Sequence, residues 1–275
     1  MTAPMSPQGL VLCADDFALN QAVSQGIAQL AAQGRLSATS VMVLSPRWAQ
    51  DAALLHELRG RLDVGLHLDW TSDFARASGH GLSLSAAMLK AALGGFNRAA
   101  ARVLIERQLD AFEAHWKAPP DHVDGHQHVQ QFAGIREALV QALASRYGAH
   151  SGPKPYLRVS RAPVDGADLK SRIIAAMGAD TIEKIATQST LACSKALLGI
   201  YDFSGNAARY ATLMDGWLRQ VAPGSLLMCH PAQGVEAGDE IGAARAQEWA
   251  YLSSAEFAAA LARAGVTLQR GVGAG

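Results

Sequence analysis

The chain has 275 residues, 49% of them hydrophobic and 17% charged, with 24 Lys and Arg balanced by 24 Asp and Glu. That composition supplies a large core, and zero formal net charge gives no electrostatic footprint for nucleic acid or an anionic membrane. No stretch approaches the roughly 18 apolar residues of a membrane span, and the opening MTAPMSPQGL lacks the basic and apolar segments of a signal peptide.

GLVLCA (9–14) reads as a strand, followed by a helix from the N-cap Asn20 to Gln33 with Gly34 as its stop. SATSVMVL (37–44) is a second strand, and Pro46 opens a helix carrying Trp48 to Leu58. DVGLHLDW (63–70) is a third strand, and TSDFARASGHGLS after it is a loop. Helical patterns cover about 83–93 and 98–117, then HVDGHQHV (122–129) reads as a strand and 133–146 as a helix. YLRVS (156–160) is a strand, 166–200 mostly helical, 206–220 a helix, and SLLMCHP (225–231) a strand. Two helices and a terminal strand near VTLQR complete the chain. Strand–helix alternation over the whole length predicts a parallel sheet with helical crossovers, an α/β (β/α) barrel ahead of an open doubly wound sheet. No composition shift marks a boundary, so residues 1–275 read as one domain with a core over about 9–271.

Side chains alternate faces along a strand. In HVDGHQHV this puts His122, Asp124, His126 and His128 on one face, and in DVGLHLDW it groups Gly65, His67 and Asp69. SLLMC ends in His230, and VLCA ends in the adjacent carboxylates Asp15 and Asp16. Each feature alone is weak: an Asp pair after a strand is usually a capping turn, and a single His is usually structural. Four strands that all carry His or Asp at the C-terminal end, where parallel α/β folds build their sites, point instead to a hydrolytic metal centre. Arg158 is open between a substrate contact, a pair with a site carboxylate and a structural salt bridge. Trp70 is placed in a substrate groove, whereas Trp48, Trp116, Trp217 and Trp249 pack helices. His56, His80, His115 and His150 read as surface residues, and Cys13 and Cys229 as small core fillers. The three cysteines (with Cys193) are too widely spaced for a disulfide framework or a zinc ribbon, which fits a reducing cytoplasm. Neither a P-loop nor a GxGxxG turn is present, so nucleotide binding has no support.

The segments ADDFALNQAVSQGI, SATSVMV, VGLHLDW, HVDGHQHV, YLRV and LLMCHPA, in this order over about residues 9 to 250, resemble the YdjC-like (ChbG) carbohydrate deacetylase family. The resemblance implies a distorted TIM-like (β/α) barrel that removes acetyl from an N-acetylated sugar with one divalent metal ion. Asp16, His67 and His126 would bind the metal, Asp15 would act as general base and His230 as acid. Asp124 would orient an imidazole, and His128 would take a supporting or substrate role, although parity does not separate it from His126. The family commonly has Gly after ADDF, where this chain has Ala18. Family members are described with magnesium, while two imidazoles and a carboxylate suit zinc. Rival readings are a metal hydrolase for another amide or ester and a metal-stabilised binding protein without turnover. The expected partner is a small N-acetylated sugar, with neither nucleic acid nor a membrane span. Oligomeric state leaves no trace in the sequence, and homodimers are common among such enzymes.

Overall fold

The computed structural model describes residues 7–149, 152, 154–163 and 169–273; His150 lies outside them. Its order is β1 (Gln8–Phe17), α1 (Gln21–Ala32), β2 (Ala38–Val41), α2 (Trp48–His56), β3 (Asp63–Leu68), α3 (Asp73–Ala77), α4 (Leu84–Ala92) and α5 (Arg98–Trp116). There follow β4 (His122–Gly125), a 3₁₀ turn (His126–Gln131), α6 (Ile135–Tyr147), β5 (Tyr156–Leu157), α7 (Leu169–Ala176), α8 (Ala179–Gln188) and β6 (Ala196–Leu198). The chain ends with α9 (Ala207–Leu218), β7 (Ser225–Cys229), α10 (Gly242–Ser253), α11 (Ala255–Ala264) and β8 (Val266–Leu268). Local chemistry sets several of these ends. Asn20 caps α1 by accepting from the Val23 N–H, and Asn97 caps α5 through the Ala100 N–H.

The strands pair in parallel in the order β5-β4-β3-β2-β1-β7-β6, with β8 beside the start of β1. The sheet curls until its edges meet. Leu157 N–H donates to Ala192 O at 2.9 Å, Ser194 N–H to Leu157 O at 3.0 Å and Leu197 N–H to Arg161 O at 2.9 Å. The expected (β/α) barrel is therefore present in distorted form, joined at β5 and β6 by irregular backbone rather than a regular ladder. Alternation splits each strand between two cores. Along β1, Leu10, Leu12 and Ala14 pack outward against the helices, while Val11 and Cys13 join Ala38, Tyr156, Leu197, Leu226 and Met228 inside the curl. No helix among the described residues is long and apolar enough to cross a membrane.

Three expectations fail here for physical reasons. The strand read over 122–129 stops at Gly125, because Gln127 (φ 53°) and His128 (φ 63°) adopt left-handed backbone and the chain doubles back. Gly125 permits this, since a Cβ there would lie 2.9 Å from Gln130 N. The stretch 166–200 is less helical than its composition suggests. Its helices are α7 and α8, broken at Gly178 (φ 143°), and β6 follows them. The loop after β3 contains α3, capped by Ser72, whose Oγ accepts from the Phe74 and Ala75 N–H groups.

Candidate active site

Each of six strands places a polar side chain one inward step above the apolar barrel interior. Cys13 is followed by Asp15, Ala38 by Ser40, Gly65 by His67, His122 by Asp124, Tyr156 by Arg158 and Met228 by His230. Gly65 matters for this layer, because a Cβ there would lie 2.3 Å from the His122 imidazole, which stacks on Tyr156. At the top of β1 the register shifts between Ala14 and Phe17, and Asp16 takes φ 70°. This bulge re-aims Asp16, so the two consecutive carboxylates meet different partners. Ala18 holds a left-handed φ of 73°, a conformation that favours the glycine common in the resembling family.

Arg158 is the hub of one half of the site. Its Nη1 donates to Asp15 Oδ1 at 2.6 Å and its Nη2 to Asp15 Oδ2 at 2.9 Å, while Nη1 lies 3.1 Å from Asp124 Oδ2. Ser40 Oγ donates to Asp124 Oδ2 at 2.6 Å, and Asp124 Oδ1 takes His67 Nδ1 at 2.6 Å. Arg158 and Asp124 are both 0% exposed, so Arg158 is a carboxylate partner, not a substrate contact. Burial pushes the Asp15 carboxyl up, but Arg158 and then His67 outweigh it and hold it below its ordinary value. Asp124 is likewise held well down, Arg158 and His67 overcoming burial. Burial alone would discharge His67, yet Asp124 first, then Asp15 and Asp16, raise its pKa to about 10.

The second half of the site is built around Asp16 and His126. Asp16 Oδ2 accepts from Arg245 Nη2 at 2.7 Å, and Arg245 is shared with Asp239. Among the described residues, the buried Asp16 Oδ1 has no hydrogen-bond partner, and His67 Nε2 lies 3.4 Å from it. His126 lies next to His67, with ring centroids 5.9 Å apart. Its Nδ1 is 2.7 Å from Thr71 Oγ1 and 3.8 Å from Asp69 Oδ1. His67 and His126 thus both have Nδ1 engaged, which is how a protein leaves Nε2 for a metal. Asp16, His67 and His126 therefore fit a divalent cation. Two tighter groups of buried donor atoms, within 4.8 Å of one another, occur among the described residues: Asp15–His67–Asp124 and Cys13–His122–Asp124. Neither is free. Arg158 takes both oxygens of Asp15, and Ser40 Oγ, 3.3 Å from Cys13 Sγ and 3.5 Å from His122 Nε2, fills the space in the other.

His230 completes the site, with Nε2 3.9 Å from Asp15 Oδ2 and its ring edge-on to Phe203 at 5.1 Å. Burial is the main cause that lowers its pKa to about 4, against the pull of Asp15 and Asp16. Sequence reasoning missed the residues that hold these groups. Ser40 shares the inward parity of Ala38 in β2 and was legible in principle. Arg245 and Glu248 lie three apart on α10, and such a charged pair on one face of a largely buried helix is a signal. Glu248, fully buried, accepts the His230 backbone N–H at 2.6 Å and the Tyr201 hydroxyl at 2.7 Å. Asp69 organises the turn after β3 by accepting the Thr71 and Ser72 N–H groups and the Ser72 hydroxyl. Trp70 is not in a substrate groove. It is 1% exposed in the core and edge-on to His80, which is half-buried rather than on the surface and reaches Asp69 O.

Among solved structures, the chain is similar to a protein from Enterococcus faecalis provisionally described as a cellobiose-phosphate cleavage protein, at 20% identity and TM-score 0.72 over 96% of this chain and 98% of that one. A peptidoglycan N-acetylglucosamine deacetylase matches at 11% identity and TM-score 0.52, over 97% of this chain and 87% of that chain. The Xyl-CE4 domain of a multidomain xylanase from the hindgut metagenome of Trinervitermes trinervoides matches at 8% identity and TM-score 0.51, over 96% and 88%. At these identities the likeness establishes the fold alone. No curated protein matches. The family model described as YdjC-like protein matches residues 9–263, and with most of its length covered the chain belongs to that family.

Proposed function

We propose that the protein is a metal-dependent carbohydrate deacetylase that hydrolyses the acetamide of an N-acetylated sugar or oligosaccharide. Membership of the YdjC-like family and the deacetylases among the structural neighbours support this reading. The observation that carries it is the orphaned, buried Asp16 Oδ1, 3.4 Å from His67 Nε2, opposite an Asp15–His230 pair 3.9 Å apart. Asp16, His67 and His126 would hold the cation, a donor set that suits zinc or a similar ion better than magnesium. Bound there, the cation supplies Lewis acidity for amide hydrolysis. Asp15, kept ionised and oriented by Arg158, accepts a proton from the attacking water. His230, kept neutral by burial, receives that proton from Asp15 and delivers it to the departing amine. Asp124 and Thr71 fix the ring orientations of His67 and His126. We read the chain as one domain working in a reducing cytoplasm, in keeping with three buried, unpaired cysteines.

Acetate release from a panel of N-acetylated mono- and oligosaccharides, with metal content measured in parallel, tests the proposal. The expected result is about one divalent ion per chain and turnover that a chelator abolishes and added metal restores. Full turnover in metal-stripped protein would refute the mechanism. Release of a different acyl group would make the protein another amide or ester hydrolase, and bound metal without turnover a binding protein.

A further inference from the structure

The turn at residues 126–131 carries two imidazoles that are anchored alike on the two sides of β4. Left-handed backbone at Gln127 and His128 parts the rings. His126 Nδ1 rests on Thr71 Oγ1 at 2.7 Å on the β3 side, and His128 Nδ1 on Ser160 Oγ at 3.0 Å on the β5 side. On the His126 side Asp16 Oδ1 is left for a cation, whereas on the His128 side Asp15 is already held by Arg158, which leaves that ring to meet an acyl oxygen gaining negative charge. Among the described residues, Nε2 of the half-buried His128 has no partner and is not enclosed. Gln130 Nε2 donates to Arg158 O at 3.1 Å and to Ser160 Oγ at 3.2 Å. Ser160 is fully buried and its O–H has no other acceptor among the described residues, so it donates to His128 Nδ1. A ring that accepts at Nδ1 carries its hydrogen on Nε2.

We propose that His128 is a catalytic residue whose Nε2–H donates a hydrogen bond to the acyl oxygen of the substrate, with Ser160 fixing that form. A protonated ring would also carry the Nε2–H, so the donor exists in either charge state. The assignment rests on the deacetylase reading above and separates His128 from His126, which sequence parity leaves equivalent. Two measurements on the metal-loaded protein test it. In ¹⁵N imidazole NMR, the His128 ring, identified by its loss in His128→Phe, should be Nε2-protonated, and Ser160→Ala should remove that preference. In kinetics, His128→Phe should lower kcat about 10²–10³-fold, with a smaller change in KM and metal content retained. His128→Gln, whose amide can donate, should recover part of the loss. A ring protonated on Nδ1 alone, unchanged kcat in folded His128→Phe, or metal lost from that variant would each overturn the proposal. Wild-type protein that releases no acetate would refute the deacetylase reading and with it the acyl-oxygen role, whereas an Nδ1–H ring in an active enzyme would refute this inference alone.

Discussion

Glu248→Gln changes a single proton at the base of the site. The Glu248 carboxyl is fully buried and uses both oxygens, Oε1 for the Tyr201 hydroxyl and Oε2 for the His230 N–H. Burial raises its pKa from 4.5 to about 7, against the hydrogen bonds from His230 and Tyr201 and the charge of Arg245. A folded-state value above the unfolded one means that the folded protein favours the protonated carboxyl. The associated stability is complete below pH 4.5 and is lost as pH rises to about 7. A rise of about 2.5 at 1.36 kcal/mol per unit corresponds to roughly 3 kcal/mol. Gln copies the protonated acid at every pH, since its amide oxygen can accept from His230 and its NH₂ can donate to the Tyr201 oxygen. Urea denaturation of both proteins from pH 4.5 to 8 at fixed ionic strength measures the effect. The stability of Glu248→Gln relative to wild type should climb by roughly 3 kcal/mol over that range and level off above pH 7. A difference that stays constant with pH, or falls, would refute the reasoning.

Asp15→Asn should retain metal and lose about 10²–10⁴-fold in turnover, whereas Asp16→Asn should lose metal affinity first and regain part of its activity with added metal. Calorimetric metal titration beside kinetics checks both, and the reversed pattern would exchange their roles. His230→Ala should lower turnover about 10²–10⁴-fold with metal retained, and near-normal turnover would make it a structural histidine. Arg158→Met leaves Asp15 and Asp124 buried without their guanidinium and should destabilise the fold by about 3–5 kcal/mol in urea denaturation at pH 7. A loss below about 1 kcal/mol would mean that solvent reaches the carboxylates.

The alternation of polar and apolar residues in β1, β3 and β7 is visible in the sequence because each strand is buried on both faces, so an inward His or Asp stands out against Val and Leu. The same rule misleads in β4. It treats HVDGHQH as one strand, whereas Gly125 lets the chain fold back and His126 and His128 leave the sheet on opposite walls. The strand read over 156–160 shortens to the two residues of β5, and β6 has three, too few for a period to register, so its side of the barrel seam left no signal. Arg245 and Glu248 reach the site from α10, more than 200 residues from Asp16 in the chain. Their local pattern signals a buried charged pair, but their partners are a tertiary fact. Trp70 misled for the opposite reason. Its place beside site residues in sequence suggested a groove, but it closes the core behind the loop that Asp69 organises.

The tie between Arg158 and Asp15 gives a reason why the proposed base and acid should act as one relay. Asp15 is held below its ordinary value, so a proton taken from water does not stay there. Burial keeps His230 neutral and able to take it, and a departing amine binds it more firmly than either. The path thus runs from Asp15 across 3.9 Å to His230 and on to the amine. Groups in series share one function, so removing the second adds little once the first is gone. The double variant Asp15→Asn/His230→Ala should then be no more than about ten-fold slower than the slower single variant, not slower by the product of the two losses. Metal content measured on all three variants guards against an indirect cause. Losses that multiply would show that Asp15 and His230 act in separate steps, and the relay would have to be abandoned.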